Sequence, residues 1–184
     1  GNTFDNINNN YPVLRLKFED SIDGIVFENN TFSNFNTNND FGGIGLEIDH
    51  ENSEVQFNIS FNNCYFIHNA NTNNQQNGGA LSFGPKQNDG NLCLYLFECF
   101  FESNQKEGKG SSLFLNIQHE ICIESCQFIE KQESEGTIYI EPDCGNDPQQ
   151  STIYINDCLF KHNRGGKLST IYIAPSKSKT VMIS

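Results

Sequence analysis

Apolar residues along this chain come in pairs with one residue between their members, and the pairs return in a fixed order. One column of pairs reads Leu14/Leu16, Leu46/Ile48, Leu81/Phe83, Leu113/Leu115, Ile138/Ile140 and Ile171/Ile173, at steps of 32, 35, 32, 25 and 33 residues. A second follows in every copy: Ile25/Phe27, Ile59/Phe61, Leu94/Leu96, Ile121/Ile123, Ile153/Ile155 and Val181/Ile183. A third begins three residues later, with Asn30/Phe32, Cys64/Phe66, Cys99/Phe101, Cys126/Phe128 and Cys158/Phe160. Period two marks a short strand with one buried face, and the spacing of an amphipathic helix is absent. The chain therefore reads as an all-β repeat protein with three short strands in each repeat.

Strands this short cannot bury an apolar face alone. The expected architecture is a parallel β-helix, a solenoid of about five to six coils in which each column becomes a ladder of like side chains. Its interior is expected to hold Leu81, Leu94, Leu96, Phe101, Ile121, Ile123, Phe128, Ile153, Ile155 and Phe160. Two residues always separate the second strand from the third: Glu28-Asn29, Asn62-Asn63, Phe97-Glu98, Glu124-Ser125 and Asn156-Asp157. A corner that tight needs a residue in or near the left-handed region, which Asn and Asp tolerate better than most. Gly42-Gly43, Gly78-Gly79 and Gly165-Gly166 are expected to bend the chain into the first strand. Asn69, Asn104 and Asn163, interrupted by Lys131, are expected to stack as an amide ladder at another corner. All of 1–184 reads as one β-helix segment that starts and stops inside the pattern, with Asn2-Thr3-Phe4 as the remnant of a coil, as in a piece of a longer protein.

Charge and cysteine usage narrow the function classes. A net charge of -12 leaves no basic stripe to displace phosphate counterions, which argues against nucleic acid as a partner. No run of apolar residues is long enough for a transmembrane segment in this piece. Of the 7 cysteines, Cys64, Cys99, Cys126 and Cys158 share one inward column and read as buried thiols acting as small hydrophobes. Such a ladder lacks the short-spaced paired hooks of a structural zinc site. Cys93 and Cys122 fall on outward positions of adjacent coils, two places out of register, and Cys144 lies in the Pro142-Asp143-Cys144-Gly145 loop. One surface disulfide among these three is the expectation for an oxidising compartment.

Phe66-Ile67-His68-Asn69 with Gly78-Gly79-Ala80-Leu81, and Phe101-Glu102-Ser103-Asn104 and Phe160-Lys161-His162-Asn163 further on, resemble the repeats of chlamydial polymorphic outer-membrane proteins and similar β-helical surface proteins of protists. The resemblance covers most of the chain. It implies a right-handed parallel β-helix and a surface, adhesive or scaffolding role. The motif residues are structural, so the resemblance assigns no active site.

Candidate contact residues are aromatic. Phe114, Tyr139 and Tyr172 fall on one outward column of the first sheet and are expected to form an exposed strip, with Tyr95 and Tyr154 facing out on the second. Asn29 and Asn58 head the sequons Asn29-Asn30-Thr31 and Asn58-Ile59-Ser60, which makes them glycosylation candidates in a secretory pathway. His68 and His162 occupy equivalent corners too far apart to form one site. The functional expectation is a non-catalytic, structural or adhesive segment of a large extracellular or cell-surface protein, touching proteins or glycans through its outer faces and neighbouring parts of its own longer chain. The competing expectation is a carbohydrate-active β-helix of lyase or hydrolase type, or a glycan-binding module. In that reading Glu98 and Asp157 share a corner column about 10 Å apart, near the upper end for an inverting carboxylate pair. No cofactor is expected, although these carboxylates with loop carbonyls offer a site for calcium.

Overall fold

The computed structural model describes residues 1–5, 8–9, 16–17, 24–37, 44–45, 48–49, 57–72, 78–83, 92–106, 109–116, 120–130, 133–134, 136–141, 151–162, 164–165, 170–174 and 179–184. The protein is all-β, and every strand pairing described is parallel. The chain visits the same sheets in the same order, one strand per visit. The first sheet holds Ile44–Gly45, Leu81–Phe83, Leu113–Leu115, Ile138–Ile140 and Ile171–Ile173. The second holds Gly24–Glu28, Phe57–Asn62, Leu92–Phe97, Glu120–Glu124, Ser151–Asn156 and Lys179–Ile183. The third holds Thr3–Asp5, Thr31–Ser33, Tyr65–Ile67, Phe100–Glu102, Gln127–Ile129 and Leu159–Lys161.

Within these sheets like stands beside like, as the alternating pairs require. Ile25, Ile59, Leu94, Ile121, Ile153 and Val181 form one inward row of the second sheet. Phe4, Phe32, Phe66, Phe101, Phe128 and Phe160 form the third-sheet row, their rings stacked at 5.0, 5.3, 4.6, 4.8 and 5.0 Å between centroids. The inward residues of all three sheets merge into one hydrophobic cluster. Of the expected core, nine residues are buried and Phe160 is only half-buried. It lies on the last strand of its sheet, which has a neighbour on one side alone.

The corner between the second and third sheets turns on a left-handed residue in each pass: Asn29, Asn63, Glu98, Ser125 and Asp157, with φ between 50 and 56°. A second left-handed corner follows the third sheet at Asn34, His68, Ser103 and His162, which accounts for both histidines as corner residues. Beyond it the chain forms a fourth short strand that the apolar pairs do not announce. Asn8–Asn9, Asn36–Thr37, Ala70–Asn71 and Gln105–Lys106 make one ladder, and Glu133–Ser134 pairs with Arg164–Gly165 in another. A strand of two residues contains no alternating pair, so period two cannot reveal it.

Two expectations about the first sheet change. Leu81 pairs with Ile44, not Leu46, so this pass is displaced by two residues from the pairwise alignment. Ile48 pairs with Leu16 in a separate two-stranded ladder. A slip of two preserves which residues face inward and is therefore invisible to alternation. Gly78 bends as expected, with φ 81°, and a Cβ there would meet Ser82 at 2.8 Å. Gly165 instead belongs to a fourth-position strand. Leu14, Leu46, Gly42, Gly43, Gly166, Lys131 and Asn163 lie outside the described residues.

Candidate binding face

The expected aromatic strip is stacked but covered. Phe114 and Tyr139 are each only 5 % exposed, with ring centroids 5.8 Å apart, and Tyr139 stacks on half-buried Tyr172 at 4.6 Å. The backbone leading into the Leu81–Phe83 and Leu113–Leu115 strands crosses the outward side. A Cβ on Gly78 would sit 3.2 Å from that of Phe114, and Lys109 Nζ lies 4.5 Å above the Tyr139 ring while pairing with Glu141 at 3.4 Å. Hydrogen bonds from Gly78 N to Lys109 O and from Ser111 N to Gly136 O tie these crossing segments together. A strip roofed this way is packing, not a contact surface.

On the second sheet the outward row reads Val26, Ser60, Tyr95, Cys122, Tyr154 and Met182. Tyr95 and Tyr154 are half-buried, and the Tyr95 hydroxyl donates to Glu120 Oε2 at 3.2 Å. Burial, then the Cys93 and Glu120 neighbours, hold the Tyr95 phenol above its ordinary range. Cys122 faces Tyr95 across the strands while Cys93 faces Asn58, so the two cysteines are two places apart and not bonded to each other. Burial, then Glu124 and Glu120, raise the Cys122 thiol. Cys144 lies outside the described residues.

Of the inward cysteines, Cys64, Cys99 and Cys126 are buried as the column predicts, and Cys158, on the last pass, is only half-buried. Cys64, Cys99, Cys126 and Cys158 each donate Sγ–H to a carbonyl of the neighbouring pass: Phe27, Phe61, Leu96 and Ile123 respectively. The adjacent thiols and then burial push Cys64 and Cys126 well above the ordinary thiol range. Asn29 is exposed at its corner and accepts a hydrogen bond from Asn63 Nδ2 at 2.7 Å. Asn58 is half-buried within its strand, between Gly24 and Cys93.

Among the described residues the exposed aromatic side chains are on the third sheet and its corner. Tyr65 and Phe97 are each 41 % exposed, and the Tyr65 and Phe100 rings stand 6.0 Å apart. Phe97 ends its second-sheet strand and Phe100 opens the next, with left-handed Glu98 between them. Glu124 pairs beside Phe97, and Glu102 lies two residues beyond Phe100 on the same outward side. Thr31 and Gln127 continue the Tyr65–Phe100 row on either side, and exposed Leu159 ends it. The sequence carries this signal as single aromatic residues at outward positions, whereas the first-sheet aromatics run through three successive passes.

Glu98 and Asp157 do share one corner column with Ser125 between them, on a convex turn. Among the described residues no group of three or more His, Cys, Asp and Glu side chains comes together as a metal cage. No helix of the described residues is long and apolar enough to cross a membrane. Comparison with protein-family models, with curated proteins and with solved structures gave no match.

Proposed function

We propose that the chain is a stretch of right-handed parallel β-helix with three principal strands in each coil, acting as a structural and adhesive segment of an extracellular or cell-surface protein. Parallel ladders entered in unchanging order support the solenoid, and right-handedness is the usual sense for parallel connections. Its contact face is the corner of the second and third sheets. The observation that carries this reading is the exposed ring of Tyr65 beside half-buried Phe100, with exposed Phe97 at the adjoining corner, in a chain whose other third-sheet phenylalanines all stack inward. Solvent-exposed rings on a rigid sheet suit contact with a protein surface or the apolar face of a sugar.

The competing reading, a carbohydrate-active β-helix, draws on Glu98 and Asp157 in one exposed column. A glycan array combined with a reducing-sugar release assay separates the two. Binding without release, weakened in Tyr65→Ser and Phe100→Ser, is the expected result. Release that disappears in Glu98→Gln would establish the catalytic reading instead.

A further inference from the structure

The aromatic corner is bordered by carboxylates, and this specifies its partner more narrowly. Glu98 sits between Phe97 and Phe100, and Glu124 is the cross-strand neighbour of Phe97. Neither is ion-paired among the described residues. The cation carried by the third sheet is Lys161, two strands from Glu102. The chain as a whole carries -12, which sets a second copy of itself against this face.

We propose that this corner receives an arginine-bearing, basic segment of a partner protein. The inference rests on the contact-face reading above and names the chemistry of its occupant. A guanidinium is planar and weakly hydrated, so it stacks on an exposed ring while its N–H groups bond a carboxylate at the ring's edge. Phe97 with Glu98 next to it in the chain and Glu124 on the adjacent strand provides both halves of that contact at one corner. A neutral glycan would stack on the rings but leave the two carboxylates without a counter-charge.

The test uses a fluorescent peptide alternating Arg and Gly, a Lys-Gly peptide of equal length, and a neutral β-glucan oligosaccharide, each titrated against the whole chain. The Arg-Gly peptide is expected to bind most tightly. Phe97→Ser and Phe100→Ser should each weaken it about two- to fivefold, the worth of an exposed cation–π contact. Glu98→Gln with Glu124→Gln should weaken it further and flatten its salt dependence, because two screened charges are gone. Urea midpoints of the exposed-site variants check that folding is intact. Equal binding of Arg-Gly and Lys-Gly peptides, unchanged by Phe97→Ser, would mean diffuse attraction to an acidic protein and overturn the inference. Ring-dependent oligosaccharide binding without peptide binding would also overturn it while leaving the contact face standing. Loss of neither ligand in Tyr65→Ser and Phe100→Ser would remove the contact face itself.

Discussion

Glu130 makes folding stability depend on pH in an unusual direction. In neighbouring passes the residue three beyond the inward Phe is Asn69 or Asn104, both buried. Each sends Nδ2–H to the carbonyl of Phe32 or Phe66, and Asn104 Oδ1 accepts from Asn69 N at 3.0 Å. In the pass after Asn104, Glu130 stands two beyond the inward Phe, as Ser103 does, but without the left-handed backbone; one extra residue precedes the fourth strand, and Glu130 is buried. Its carboxyl is 1 % exposed, accepts from Ser112 Oγ, and takes the backbone and side-chain bonds of Asn104. Burial raises its pKa most, the Ser112 and Asn104 bonds offset part of that, and Glu102 adds to it, leaving it at about 7 against 4.5 for the free group. The folded state therefore holds this proton more tightly than the unfolded chain. The contribution is fully present below about pH 4.5, falls as pH rises toward 7, and is flat beyond. At ~1.36 kcal/mol for each tenfold change in proton affinity, the rise from 4.5 to about 7 is worth about 3 kcal/mol. Glu130→Gln keeps the acceptor for Ser112 and removes the titration. In urea unfolding the variant should match the parent near pH 4 and exceed it by up to about 3 kcal/mol near pH 8. A difference between variant and parent that does not change with pH would refute the neutral, interior carboxyl.

Phe101→Ala removes the centre of the stacked phenylalanine row and should cost about 3–5 kcal/mol in denaturant unfolding; a loss under about 1 kcal/mol would place that ring outside the core. Ser125→Gly relieves a left-handed non-glycine corner at φ 53° and should raise stability by up to about 1 kcal/mol, read as a higher urea midpoint. Cys126 should resist a thiol reagent in the native protein while half-buried Cys122 and Cys158 are modified; mass mapping of native labelling that finds Cys126 modified early would contradict its interior position.

Alternation is a local property, and what it controls was legible from residues alone. Ile59 and Phe61, or Cys64 and Phe66, face inward because their neighbours Ser60 and Tyr65 are polar or amphipathic, and the two-residue corners recur because the chain must turn in the same space each time. The inward faces of the second and third sheets, the inward thiols and the phenylalanine row follow from that periodicity, and the constant two-residue corner holds the two sheets in step. Three features depended on tertiary structure. The displacement of Ile44 against Leu81 conserves parity, so only strand pairing selects it. The interior position of Glu130 goes with a changed backbone at that residue and an added residue before the fourth strand, not with hydrophobicity. Outward residues were the least legible, because pointing away from one sheet does not mean meeting solvent. Phe114 and Tyr139 are roofed by the backbone around Gly78 and Lys109, while Tyr65 and Phe97 are exposed at the corner with half-buried Phe100. What covers an outward side chain is chain distant in sequence, and periodicity along one strand carries no information about it.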